Sequence, residues 1–258
     1  MSSAHTLPRL YVASDKLDAA SAGATCAMEP GQARYLGAVM RRGDGDVARI
    51  FNARIGEWRA TISGLRKERG SFVLQEQLRP APLDGEPGCV MAFALLKRDA
   101  TDLAIRMGAE LGVARFAPLI TERTVGQRVN EERLAAIAIE AAEQCERLTV
   151  PVIDAPVRLS DFLGAWPAEK TLFAAVERLD ARAGSASLER ARPSRPFSGA
   201  RSGDGVLIGP EGGFSDGELD VVLARPFVTA LTLGERVLRA DTAVAAAAAL
   251  FDASLGNA

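Results

Sequence analysis

Two short stretches near the end of the chain combine residue types that scaffolding alone rarely needs. Val206–Gly213 reads V-L-I-G-P-E-G-G, and a little further on Leu233–Thr242 reads L-G-E-R-V-L-R-A-D-T. An apolar run that breaks into a glycine-dense loop predicts a buried strand opening onto a ligand. Two such junctions close together predict one pocket built by neighbouring loops. Glycine lets a flat ligand approach the backbone closely and leaves N–H and C=O groups open to it. Glu211 in the first loop can orient a hydroxyl or a cation. In the second, Arg236, Arg239 and Asp241 stand next to Thr242. Two arginines on a loop between apolar elements either pair with Glu211 or Asp241, or grip a phosphate or an anionic base.

Other chemistry is disfavoured. No Gly-Lys-Ser/Thr follows the first loop, and the loop is not G-x-G-x-x-G, so phosphate cradling by either motif has no support. The single histidine, His5, sits in the N-terminal tail. Zinc sites of the Cys/His kind, Ser-His-Asp triads and Cys-His dyads are therefore not expected, and no metal is required. Proton transfer falls to carboxylates, Lys, Tyr, the substrate or water. Cys26, Cys89 and Cys145 have neither metal-type spacing nor a disulfide pattern, which fits a reducing cytoplasm. The longest apolar candidate, Ala243–Phe251, is well short of the roughly 18 residues of a membrane span, and no signal segment is visible at the N-terminus.

Net charge is −2, but it is unevenly spread. Residues 1–80 hold 12 Lys/Arg against 8 Asp/Glu, and the rest hold 19 against 25. A basic N-terminal part ahead of an acidic body is the asymmetry of an appended nucleic-acid module.

The elements that must position the two loops follow from periodicity. Residues 7–80 read as β-rich, with short apolar runs at Arg9–Val12, Val47–Phe51, Trp58–Ile62 and Phe72–Leu78. Turns are expected at Asp44-Gly45 and Asn52–Gly56, and one short helix over Pro30–Met40. This spacing suggests a small barrel. Arg79–Gly88, R-P-A-P-L-D-G-E-P-G, is the expected domain boundary. Beyond it strands and helices alternate: strands Val90–Leu96, Val113–Ile120, Thr171–Val176, Val206–Ile208 and Val228–Leu233, and helices Asp99–Leu111, Asn130 to about Leu148, and Asp216 to about Ala224. Ser215 and Glu218 have capping-box spacing. Thr242 is expected to cap a final helix, Ala243–Phe251, and Arg182–Gly205 is expected to be a long structureless connection. Such alternation gives an α/β fold with a mostly parallel sheet, whose ligands bind at the carboxyl ends of the strands.

V-L-I-G-P-E-G-G-F-S-D-G-E-L (Val206–Leu219) followed by L-G-E-R-V-L-R-A-D-T-A (Leu233–Ala243) resembles the C-terminal signature of the ribosomal RNA small subunit methyltransferase E family, uridine-N3 methyltransferases of the SPOUT class. The resemblance runs over nearly the whole chain. A-L-L-K, D-L and E-L-G-V within Ala94–Val113, T-E-R at Thr121–Arg123 and E-Q-C-E-R-L-T-V-P at Glu143–Pro151 fall in the family's order. R-L-Y-V at Arg9–Val12 and the Arg34–Asp46 stretch resemble its RNA-binding, PUA-like barrel.

The resemblance implies a PUA-like barrel over residues 1–80 and a SPOUT α/β domain with a C-terminal trefoil knot over 81–258. It implies S-adenosylmethionine held by Ile208, Gly209, Pro210, Glu211, Gly212 and Gly213 of the first loop and by Leu231, Leu233, Gly234, Val237, Leu238 and Thr242 around the second. It implies a homodimer acting on small-subunit ribosomal RNA in the cytoplasm. Arg239 would hold the base or its phosphate, and Asp241 or Glu177 would accept the proton. Arg34, Arg41 and Arg42 would contact phosphates, and Arg106, Arg123, Arg147 and Arg236 complete the implied RNA-binding set. Three departures stand out: Asp241 where the family has Glu, Arg106-Met107 where it has Gln-Lys, and Thr149 where it often has a second arginine. The rival readings are a SPOUT methyltransferase with another target, such as a ribose 2′-hydroxyl, and a non-catalytic RNA-binding assembly factor.

Overall fold

Alternating apolar residues and tight turns dictate the N-terminal half. In the computed structural model, which describes residues 7–17, 20–83, 86–124, 129–176 and 197–255, β3 (Val47–Asn52), β4 (Gly56–Arg66) and β5 (Arg69–Arg79) form an antiparallel meander. β1 (Arg9–Tyr11) pairs in parallel with β3, and β2 (Thr25–Ala27) pairs antiparallel with β5. The five-stranded sheet has the order β1-β3-β4-β5-β2. The turn between β3 and β4 is built by Asn52, whose Oδ1 accepts from the N–H groups of Arg54 at 2.8 Å and Ile55 at 2.9 Å while Nδ2 donates to the Val12 carbonyl at 3.0 Å. Gly56 closes the turn at φ +74°, where a Cβ would stand 2.2 Å from the Arg79 carbonyl. Leu36, Ile50, Trp58, Ile62, Phe72 and Leu74 form its core.

The helix expected over Pro30–Met40 divides in two. α1 covers Pro30–Arg34 and a π-helical turn covers Tyr35–Val39, closed by the Met40 N–H on the Tyr35 carbonyl at 2.9 Å. A widened turn of this kind breaks the 3.6-residue period that the sequence was read by. Arg41 then leaves it with φ +52°.

This compact unit extends beyond the meander. It comprises Met1–Glu86 together with Ala142–Val150. Arg9 donates to the carbonyls of Ala142 at 2.8 Å and Arg147 at 2.6 Å, and its guanidinium carbon lies 3.5 Å from the Phe51 ring centre. Glu57, 1 % exposed, takes Arg49 at 2.9 Å and both Arg9 and Arg79 at 3.4 Å. A buried carboxylate needs such partners. Arg147 pairs with Glu86 at 3.0 Å and donates to Thr149 Oγ1 at 3.0 Å, with only 10 % of its side chain exposed. Arg147, expected at the RNA, is thus a mostly buried side chain with internal partners. Thr149, where the family often has a second arginine, completes this cluster through its hydroxyl on Glu86.

The second unit comprises Pro87–Ala141 and Pro151–Ala258. Its strands are β6 (Val90–Ala94), β7 (Arg115–Ile120), β8 (Val152–Ile153), β9 (Val157–Arg158), β10 (Leu172–Ala175), β11 (Gly205–Ile208) and β12 (Val228–Leu231). The order is β12-β10-β11-β6-β7-β8, with β9 also on β7, and every pairing is parallel. β11 is buried along its whole length, as a strand covered on both faces must be. The helices are α2 (Arg98–Glu110), α3 (Glu131–Gln144, which runs into the first unit), α4 (Leu159–Ala165), α5 (Asp216–Leu223) and α6 (Ala240–Leu255). Asn130 Oδ1 accepts from the Arg133 N–H at 3.0 Å, the expected cap of α3.

Two expectations change here. α6 begins at Ala240, with the Ala243 N–H on the Arg239 carbonyl at 2.8 Å, so Thr242 lies inside the helix and not at its cap. Of the connection expected to be structureless over Arg182–Gly205, residues 182–196 lie outside the described residues. The described part starts with fully buried Phe197, stacked edge-on against Phe173 at 5.2 Å and Phe251 at 5.5 Å. Among the described residues no helix is long and apolar enough to cross a membrane.

Candidate functional site

The parallel sheet sets three strand ends side by side. β10 lies between β11 and β12, and the registers align Ala175 with Ile208 on one side and with Leu231 on the other. The Val176 N–H continues the ladder onto the Leu231 carbonyl at 2.9 Å. The two glycine loops leave from the outer strands of this trio, and a cavity of about 620 Å³ opens between them. That volume lies within the range of small-molecule sites, roughly 300–1,000 Å³.

The first loop is a tight turn followed at once by a helix. The Gly213 N–H donates to the Pro210 carbonyl at 2.8 Å, and Gly213 has φ +69°. A Cβ at Gly209 would stand 3.0 Å from the Phe214 ring, so the ring folds over the glycine. Ser215 Oγ accepts from the Glu218 N–H at 3.2 Å and Glu218 Oε2 accepts from the Ser215 N–H at 3.1 Å, the capping box read from the sequence. The second loop is shaped by Thr232, whose hydroxyl donates to the Gly234 carbonyl at 2.8 Å. Gly234 has φ +128°, a conformation that side chains oppose.

Of the residues picked from the sequence, Ile208, Gly209, Pro210, Glu211, Gly213, Leu233, Gly234, Val237 and Leu238 line the cavity, as do Arg236 and Arg239. Gly212, Leu231, Asp241 and Thr242 do not. Gly212 instead faces the Arg123 side chain, and Leu231 is buried at the end of β12. Asp241 Oδ1 accepts from the Thr242 N–H at 2.7 Å in the first turn of α6. Glu177 lies outside the described residues. Arg236 and Arg239 are exposed, and among the described residues neither pairs with Glu211 or Asp241, so the ion-pairing alternative is not realised there.

Sequence reasoning missed Ala175, Val176, Phe214, Leu219, Thr232, Ala240 and Ala243. The first two follow from the strand order, which no local pattern gives. Ala243 could have been found, because it falls one turn after Arg239. The RNA-facing arginines sit in different settings. Arg34 pairs with Glu68 at 3.2 Å, both more than half exposed. Arg41 and Arg106 are exposed, and Arg42 is half-buried with its Nε shielded and unbonded.

A family model described as an RNA methyltransferase domain matches residues 86–252. A ribosomal RNA small subunit methyltransferase E of Rickettsia conorii is 34 % identical over 216 residues, 83 % of this chain and 84 % of that protein. The chain belongs to the ribosomal RNA small subunit methyltransferase E family. A further member, from Synechocystis, is 32 % identical over 253 residues, 96 % of this chain and 78 % of its own. A crystal structure of a methyltransferase E from Neisseria gonorrhoeae bound to S-adenosyl methionine superposes with a TM-score of 0.76 at 25 % identity, covering 96 % of this chain and 98 % of that one. A methyltransferase from Legionella pneumophila in complex with the same cofactor gives 0.77 at 27 % identity, covering 96 % and 97 %. Both superpositions run over nearly the full length of the chains compared.

Proposed function

We propose that this chain methylates N3 of a uridine in small-subunit ribosomal RNA, using S-adenosylmethionine held between the two glycine loops. The observation that carries the reading is the cavity itself: two glycine loops from the parallel strands on either side of β10, with Arg236 and Arg239 among its lining. The residues present fit the cofactor. Ile208, Leu219, Leu238 and Ala243 offer apolar surface to an adenine, while Glu211, Thr232 and the loop backbone offer partners to hydroxyl and amino groups. Gly234, at a φ of +128° that favours glycine, leaves its backbone open to close approach by a ligand.

When bound, S-adenosylmethionine supplies a methyl group already activated by its sulfonium. The tasks left to the protein are alignment and charge. A uridine N3 lies on the Watson–Crick edge, so the base must be unpaired or flipped to enter. Loss of the N3 proton leaves an anion, and Arg239 stabilises it or fixes the neighbouring phosphate. The proton goes to a carboxylate, directly or through water. The candidates are Asp241, two residues beyond Arg239, and Glu177, which follows the cavity residue Val176 in the chain. Arg34, Arg41 and Arg42 of the first unit contact RNA phosphates, with Arg106 and Arg236 on the second. The wider expectations of a PUA-like barrel, a trefoil knot, a homodimer and a cytoplasmic setting belong to this proposal, supported by family membership.

The test is methyl transfer to small-subunit RNA from cells lacking the modification, with the product nucleoside identified by mass spectrometry. N3-methyluridine is expected, and Arg239→Ala should lower kcat by about a hundredfold, the scale of a lost anion-stabilising group, while cofactor affinity is retained. A ribose-methylated product would overturn the N3 assignment, and wild-type turnover in Arg239→Ala would overturn the role of Arg239.

A further inference from the structure

The T-E-R segment after β7 carries Arg123, one of the arginines expected at the RNA, and its side chain meets the first glycine loop. Arg123 Nη1 donates to the Gly212 carbonyl at 2.9 Å and to the Phe214 carbonyl at 3.4 Å. Its aliphatic stem lies under Gly212, where a Cβ would meet Arg123 Cδ at 3.5 Å. One residue earlier, the Glu122 N–H donates to Glu218 Oε1 at 2.8 Å. The segment is itself stiffened, since the N–H of buried Thr121 donates to Thr124 Oγ1 at 2.8 Å and the two hydroxyls meet at 2.9 Å.

We propose that Arg123 is a positioning residue that braces the first glycine loop from outside the cavity, setting the peptide planes on which cofactor binding depends. A peptide group is planar and its C=O and N–H point in opposite directions. Holding the Gly212 carbonyl therefore fixes the Gly213 N–H, which closes the turn onto Pro210 at 2.8 Å. Holding the Phe214 carbonyl fixes the Ser215 N–H, which donates to Glu218 Oε2 at 3.1 Å. Both peptide units are thus tied at both ends. Phe214, whose ring covers Gly209 on the cavity side, joins the two anchored units together with Gly213. Glu218 joins the two halves of the brace, with one oxygen on Ser215 and the other on Glu122. The guanidinium suits the task because it presents several N–H groups in a rigid plane.

The inference rests on the cofactor reading for its functional consequence, so two measurements are needed. Hydrogen exchange of the ligand-free protein reads the brace alone. Arg123→Ala should speed exchange of the Gly213 and Ser215 amides by about tenfold, the scale of one lost hydrogen bond to a charged group. Calorimetric titration with S-adenosylmethionine reads the consequence: Arg123→Ala should raise Kd by about tenfold and KM with it, kcat at saturating cofactor should stay near wild type, and Arg123→Lys should recover part of the affinity. RNA affinity should be unchanged. Unaltered exchange at Gly213 and Ser215 overturns the brace. Unaltered cofactor affinity overturns its role in binding, as does a loss confined to RNA affinity. Absence of cofactor binding by the wild type would overturn the cofactor reading and leave the exchange result to decide the brace.

Discussion

At the scale of single residues, the two glycines that matter most are constrained for different reasons. Gly234 needs its backbone angle, φ +128°, in a place where a Cβ would meet nothing within 4 Å. Gly209 has an ordinary angle and needs space, because Phe214 Cε2 lies 3.0 Å from where a Cβ would be. That distance is tighter than normal contact, and the ring must move to admit a methyl group. Because Phe214 itself lines the cavity, displacement of the ring reshapes the site more than it harms the fold. Gly209→Ala is expected to weaken S-adenosylmethionine binding by about tenfold, about 1.4 kcal/mol, with a smaller change in stability because the ring can yield towards the cavity. Titration calorimetry beside a thermal melt separates the two effects. Unchanged affinity would mean that the ring swings away freely and that the contact has no part in binding.

At the scale of elements, what was legible in the sequence was whatever is written locally. The glycine junctions at Gly209 and Gly234, the Ser215–Glu218 box and the apolar strands all declare themselves within a few residues. The π-helical turn at Tyr35–Val39 and the true start of α6 did not, because each depends on which carbonyl a given N–H selects. Least legible was the assignment of Ala142–Val150 to the N-terminal unit, which rests on contacts such as Tyr11 N–H to Glu143 Oε1 at 2.9 Å, far apart in the chain. The same segment carries a pH signature. Burial alone would raise the pKa of Glu86, but hydrogen bonds from the Thr149 hydroxyl and the Leu148 N–H, with the Arg147 charge, outweigh it and hold Glu86 below its ordinary 4.5. A carboxyl whose pKa is depressed on folding stabilises the fold above its unfolded pKa, and this contribution is lost as pH falls through the folded value. Urea denaturation should therefore find Glu86→Gln less stable than wild type at pH 7, with the gap closing as pH falls below about 4.5 towards 3. A gap constant with pH would show that the Glu86 charge contributes nothing.

At the scale of the whole molecule, the useful quantity is how charge is divided along the chain and not its sum. A net −2 protein that acts on RNA must keep its positive charge in one place, and residues 1–80 carry that excess. Phosphate contacts release counterions, so each genuine contact adds to the salt dependence of binding, about 0.7 per contact on single-stranded nucleic acid. Arg34 and Arg41 suit the test because both are exposed, and the Arg34–Glu68 pair, 56 % and 59 % exposed, is of the weak surface kind that a phosphate can replace. Arg42 is less suitable because part of its guanidinium is shielded. Replacing Arg34 and Arg41 together by Gln should weaken binding to small-subunit RNA at every sequence tested and flatten the plot of log affinity against log salt by about 1.4. Affinity for S-adenosylmethionine should not move, because neither arginine belongs to the unit that holds the cavity. A salt slope equal to that of wild type would remove Arg34 and Arg41 from the RNA interface, and a parallel loss of cofactor affinity would assign their effect to folding instead.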